Sequence, residues 1–241
     1  MTILKRVQSA LQNLPWLKKA KKKAPEEHLL NANLQIQTLL SDTSIPAAPS
    51  LALREGPRIN GVANSDGIEI AVSGTLAAGD TVAVVVTRPD STTFTVQRVA
   101  TAAEVSAGIA VIVLPTQTVQ GSYGVVARIT DAAGNVGTGT AAQTFQLDSI
   151  GPAAPTVRLD PSSDSGTLGD NITSDNTPTI TGTGTAGDGV RVAFTGGLVL
   201  NTTVAANGTW IVTPTSGLTG GAVVVSVTAT DSFGNVSPLT D

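Results

Sequence analysis

The chain repeats itself, and the repeat limits what it can fold into. "DTSIPAAPSLAL" at 42–53 matches "DSIGPAAPTVRL" at 148–159. "VSGTLAAGDTVAVVV" at 72–86 matches "ITGTGTAGDGVRVAF" at 180–194, and "GSYGVVARITDAAGNV" at 121–136 matches "GAVVVSVTATDSFGNV" at 221–236. Three matches in the same order, at domain spacing, mark two homologous modules that share one fold. A catalytic centre is usually built once. A motif such as Thr-Asp-x-x-Gly-Asn-Val that returns in each module points instead to a repeated structural task.

Between the matched segments the apolar residues alternate. "IEIAVSG", "DTVAVVVT", "TFTVQRV", "IAVIVL" and "YGVVARIT" in the first module, and "TPTITG", "GVRVAF", "TWIVTP" and "VVVSVTAT" in the second, are short β-rich runs. Each is bounded by Gly, Pro, Asp or Ser, as strands between turns are. About seven such strands per ~100 residues is the pattern of an immunoglobulin-type β-sandwich. The expected fold is all-β: two tandem Ig-like Greek-key β-sandwiches, over 42–147 and 148–241. Trp210 is expected in the second core. Asp241 is expected at the station of Asp42 and Asp148, opening a third linker and leaving the array truncated at 241.

Residues 1–41 follow a different rule. Ile3, Val7, Leu11 and Leu14 recur at helical spacing, Pro15 interrupts them, and Leu29, Leu30, Ile36, Leu39 and Leu40 form a second stripe. This predicts a basic, amphipathic N-terminal helical extension. Residues 1–44 carry a net charge of +4, and the remainder −8. Five Lys within the six residues 18–23 suit an anionic membrane or a nucleic acid. The same arm also suits self-association, or a solvated extension with no partner. No nucleic acid is expected to bind the array as a whole. No run of 18 apolar residues predicts a transmembrane helix, and the N-terminus lacks the uninterrupted apolar core and small-residue cleavage site of a signal peptide.

The residue inventory narrows the chemistry. With no Cys and a single His (His28), disulfides, thiolate metal sites and most routes to nucleophilic catalysis are closed. "GTGTAGDG" is Gly-rich but lies between two strands and lacks the Lys of a phosphate-binding loop. The chemistry left is that of carboxylates. "DPSSDSGTLGDNITSDN" at 160–176 holds Asp160, Asp164, Asp170 and Asp175 among Ser, Thr and Asn. Hard cations such as calcium take six to eight oxygens from groups of these kinds. The same composition also makes a solvated loop of Asx-turns.

The segments "D-x3-P-A-A-P", "SDSGTLGDNITSDNTPTITGTGTAGDGVRV", "ANGTWIVTP" and "TATDSFGNVS" resemble the bacterial Ig-like repeats of giant adhesins and biofilm-associated surface proteins. The resemblance is strong over 150–241 and moderate over 45–147, which lacks "GTW" and the acidic loop. It implies a cell-surface protein exported by type I secretion without a cleaved N-terminal signal, supporting adhesion or biofilm formation. It implies calcium at the junctions between modules, and further Ig-like modules of the same array as partners.

Topology locates those junctions. In such a sandwich the turn between the last two strands faces the preceding module, and the loop between the first two faces the following one. Asp131 is therefore expected to face the linker carrying Asp42, and Asp231, with Asn235, the linker carrying Asp148. Asp160, Asp164, Asp170 and Asp175 would face the next junction. Hairpin chemistry alone also explains Asp-x-x-Gly-Asn. A ligand-binding module that recognises a glycan or protein through its loops is the alternative function. Catalysis ranks below both.

Overall fold

The structure, a computed structural model, describes residues 42–241; the helical extension expected at 1–41 lies outside the described residues. Two tandem Ig-like β-sandwiches follow one another, each with its own core.

The first sandwich contains β1 (Ser50–Leu53), β2 (Arg58–Ile59), α1 (Gly61–Asp66), β3 (Ile68–Ser73), β4 (Thr81–Thr87), β5 (Thr93–Val99), α2 (Ala102–Ala107), β6 (Ile109–Leu114), β7 (Gly121–Thr130) and β8 (Gln143–Leu147). One sheet runs β1-β3-β6 and the other β2-β8-β7-β4-β5. Strands β1 and β2 are one edge strand that changes sheets, and β2 pairs parallel with β8. Alternation places the core. Ile68, Ile70 and Val72 of β3, Val82, Val84 and Val86 of β4, and Val125, Ala127 and Ile129 of β7 are all buried. Burying a side chain of Val or Ile size contributes about 1.5–3 kcal/mol.

The sandwich is fastened at one corner by Tyr123. Its ring stacks on Phe145 with centroids 4.9 Å apart, and its hydroxyl donates to Val119 O at 2.6 Å. A Tyr near the start of this strand, bonded back to the chain a few residues upstream, is a recurrent brace of Ig-type folds.

Two short helices interrupt the β pattern. Helix α2 is opened by a capping box in which Thr101 and Glu104 satisfy each other's backbone N–H groups. Glu104 also pairs with Arg98 and accepts from Val111 N–H, which ties the helix to β5 and β6. The guanidinium of Arg98 is the main reason the Glu104 carboxyl sits well below the usual range.

The second sandwich contains β9 (Arg158–Leu159), β10 (Ile180–Thr183), β11 (Gly189–Phe194), β12 (Val199–Thr203), β13 (Thr209–Val212) and β14 (Val225–Thr230). Its sheets run β9-β10-β13 and β12-β11-β14. Trp210 is 2% exposed at the centre of this core. Gly182 leaves it room, because a Cβ there would overlap Thr156 O and the indole ring.

The register corrects one expectation. Thr240 exchanges backbone hydrogen bonds with Val227. In the first sandwich Thr140 does the equivalent with Ala127, through its N–H and its hydroxyl. Asp241 therefore stands at the station of Ala141, before the last strand. It does not stand at the linker station of Asp42 and Asp148. Sequence matching had aligned the letter Asp; strand pairing fixes the true offset.

Candidate functional site

The repeated turn builds itself first. Gly134 N–H donates to Asp131 O and Asp131 N–H to Asn135 O, both at 3.1 Å, and the second module repeats both bonds with Gly234, Asp231 and Asn235. Gly134 and Gly234 take φ of 94° and 90°, which a side chain would strain. The Asp side chain closes the turn from inside. Asp131 Oδ1 accepts Asn135 N–H at 2.8 Å and Asp131 Oδ2 accepts Asn135 Nδ2 at 2.8 Å. Asp231 Oδ1 accepts the N–H groups of Phe233 and Asn235 at 2.8 and 2.9 Å, and Oδ2 accepts Asn235 Nδ2 at 3.0 Å.

These bonds set the charge state. The Asn135 amide is the main cause holding the Asp131 carboxyl below its ordinary value. Burial pushes Asp231 up, but the Asn235 side chain and the backbone N–H groups of 233–235 outweigh it, so Asp231 also sits low.

Held in this way, the Asn reaches out of the turn. Asn135 Nδ2 donates to Asp42 O at 3.0 Å and Asn235 Nδ2 to Asp148 O at 2.8 Å. At the second turn Asn235 does more, because its Oδ1 accepts Gly61 N–H at 2.9 Å. Gly61 begins α1 of the first sandwich, where an N-terminal N–H has no partner within the helix. Asn235 thus joins three pieces: its own turn, the linker and the preceding sandwich. Beside it, Arg58 donates to Ser232 Oγ at 2.7 Å and lies over the Phe233 ring, 4.3 Å from its centroid.

The linker is fitted to this turn. Asp42 Oδ1 accepts Ser44 N–H and Asp148 Oδ1 accepts Ile150 N–H, so both side chains form Asx-turns that start the Pro-Ala-Ala-Pro segment. A Cβ at Gly151 would press on Val236 O, so the backbones meet without side chains between them. Pro49 and Pro155, the second Pro of each linker, are buried.

The four Asp of the loop between β9 and β10 cap separate turns. Asp160 Oδ1 accepts from Ser162, Asp170 Oδ1 from Ile172 N–H, and Asp175 Oδ1 from Thr177. Asp164 Oδ2 accepts Gly169 N–H at 2.6 Å, while its Oδ1 is buried without a donor. The Ser162 hydroxyl leads in lowering Asp160, and the Thr177 N–H in lowering Asp175. Among the described residues, no three His, Asp or Glu side chains come together as a ready cage for a metal.

Asp188, which the sequence reading did not single out, is placed differently. It is buried, and its Oδ2 has no hydrogen-bond partner. Burial raises its carboxyl above the ordinary value, and the charge of Asp231 raises it further. Its counterpart Asp80 is also buried, but Asp80 Oδ2 accepts Ala77 N–H at 2.7 Å. The signal was present in the sequence: both Asp lie in matched "AGD" segments. An orphaned buried oxygen beside a second carboxylate fits a cation, which would relieve both the desolvation and the repulsion. Asp188 and Asp231 are the pair that would hold it.

Residues 151–240 match the family described as bacterial Ig-like domain. No curated protein matches the chain. Among solved structures, a tetra-tandem repeat in the extending region of a large adhesion protein is 20% identical, with a TM-score of 0.33, over 79% of this chain and 47% of that one. A structure concerning host cell surface retention of a 1.5-MDa bacterial ice-binding adhesin is 22% identical, with a TM-score of 0.41, over 81% and 62%. The BSP domain of a biofilm associated protein is 18% identical, with a TM-score of 0.28, over 80% and 28%. The chain thus spans less than two thirds of each. The family match thus falls on the second sandwich, the later and smaller part of the chain.

Proposed function

We propose that the chain is a spacer segment of an exported bacterial surface protein, in which tandem sandwiches hold an adhesive part away from the cell and support adhesion or biofilm formation. The observation that carries this reading is Asn235, which bonds its own turn, the linker at Asp148 and the preceding sandwich at Gly61. A spacer needs resistance to bending at each junction, and a linker bonded on both sides supplies it. The repetition of the device is what an array requires and a catalyst does not.

Calcium is the second part of the proposal. At the junction Asp188 and Asp231 would take it, and its charge would remove the cost that the unpartnered Asp188 carboxylate imposes. Type I secretion and neighbouring Ig-like modules belong to the same reading, as does an anionic surface or self-association for residues 1–41.

Thermal melts of the whole chain, with calcium and then with chelator, test it. A ligand that binds only the folded state adds ~2.7 kcal/mol at 100 times its dissociation constant. The second sandwich should melt higher in calcium, and Asp188→Asn and Asp231→Ala should abolish the shift. A wild-type melt indifferent to calcium removes the cation and leaves a junction held by Asn235 and by Arg58 against Ser232 and Phe233.

A further inference from the structure

Strand β6 lies at the edge of its sheet and, among the described residues, pairs with β3 alone. Gly74 N–H donates to Gly108 O. Antiparallel pairs alternate from there, so Ala110 and Ile112 turn their backbone groups to β3 while Ile109, Val111 and Val113 turn theirs outward. Such a row of N–H and C=O groups is a template for another strand. The middle of this row is already taken. Glu104 Oε1 accepts Val111 N–H at 3.3 Å, and Arg98 Nη2 donates to Val111 O at 2.8 Å. An incoming strand would make these two bonds, and two side chains make both instead.

The pair is fixed from both sides. Arg98 and Glu104 bond each other through both arms of the guanidinium, and Glu104 is tied to the start of α2 by the Thr101 N–H and hydroxyl. The edge it covers is apolar: Ile109 is 42% and Val113 50% exposed. The run "IAVIVL" is uncharged and rich in β-branched residues, the make of a segment that pairs readily with itself. The second sandwich shows the alternative. Gly184 N–H donates to Gly208 O as Gly74 does to Gly108, so Ile211 of β13 is the counterpart of Val111. There β12 passes to β13 through the short turn 204–208 with no helix between. The flanking residues are Thr209 and Thr213 rather than Ile and Val, so a strand added at Ile211 buries less apolar surface.

We propose that the Arg98–Glu104 pair is an edge lock, which keeps β6 from pairing with β6 of a second copy of this chain. The partner is a second copy because the exposed file is its own complement. A two-fold axis that sets Val111 against Val111 also sets Ile109 against Val113 at both ends. Unlocked, the edge would join two β1-β3-β6 sheets into one. The lock opposes this by occupation: both bonds at Val111 have a charged partner, and a second strand could offer only neutral amides in exchange.

The test opens the lock in the whole chain and reads mass by sedimentation equilibrium. Arg98→Ala with Glu104→Ala frees both Val111 groups, and the variant should reach twice the wild-type mass at about 100 µM. Arg98→Ala by itself leaves the Thr101–Glu104 capping box in place and frees Val111 O; it should dimerise at about tenfold higher concentration. This single variant carries the test if the double variant does not fold. Val113→Lys, added to either, puts a charge on the outward file and should restore the wild-type mass. Wild-type mass in the folded unlocked variants up to about 1 mM would overturn the lock. A doubled mass that Val113→Lys leaves unchanged would place the association on another surface and overturn the role of β6.

Discussion

The two modules carry the same turn, and the turn does different amounts in each. Asn135 and Asn235 are held by the same Asp bonds and reach the same linker carbonyl. Only Asn235 meets a preceding sandwich among the described residues, through Gly61. The contrast separates two functions within one motif. The Asp and Gly make the turn, and the Asn makes the junction. The modules also differ at one buried carboxyl: Asp80 Oδ2 accepts Ala77 N–H, while Asp188 Oδ2 has no partner.

The largest effect is expected from opening the first core alone. Phe145→Ala removes one ring of the stacked pair and should cost the first sandwich about 3–5 kcal/mol. Calorimetry should show its transition falling while that of the second sandwich stays in place. A drop shared equally by both transitions would mean that the cores are not independent.

Next comes the junction. Asn235→Ala leaves the half-buried Gly61 N–H and Asp148 O without their partner and should cost about 1–3 kcal/mol, toward the lower end of the range for groups left unsatisfied. Asn135→Ala should cost about 1 kcal/mol, since among the described residues it bonds only its own turn and Asp42 O. Chemical denaturation of the paired variants reads the difference, and equal costs would contradict the assignment of Asn235 to the junction.

A third comparison sets Asp188 against Asp80. The folded Asp188 carboxyl lies above its ordinary value of 3.8. Its protonated form therefore favours the fold, and that contribution is lost as pH rises through the folded value. In calcium-free solution at neutral pH, Asp188→Asn should raise the melting temperature of the second sandwich. Asp80→Ala should lower that of the first, because it removes the oxygen that accepts Ala77 N–H. Parallel shifts would erase the distinction.

The smallest effect is in acid. Glu104 sits below its ordinary value of 4.5, chiefly through Arg98. Its contribution is full above that value and is lost as pH falls through the folded one. Glu104→Gln should flatten the acid limb of the first sandwich's stability profile, leaving the second sandwich unchanged.

Much of the fold was legible because alternation and burial are the same fact: β3, β4, β7, β11 and β14 each turn one file of apolar residues inward. Strand β12 escaped, since Val199–Thr203 is an edge with no deeply buried residue. The short α2 escaped too, although Thr101 and Glu104 carry the spacing of a capping box. The junction was legible as a place but not as a chemistry. Asp231 was expected to face the linker carrying Asp148. Three donors from its own turn bond its oxygens, and it is the neutral Asn235 that reaches the linker carbonyl of Asp148. A sequence displays charge more readily than it displays which hydrogen bonds a turn has already used.

Residual dipolar couplings on the wild-type chain and on Asn235→Ala test the brace most directly. With the brace intact, both sandwiches should share one alignment tensor, and Asn235→Ala should split it into two of unequal magnitude. Two independent tensors in the wild type would contradict a fixed junction, and a single shared tensor in the variant would show that Asn235 is not what fixes it.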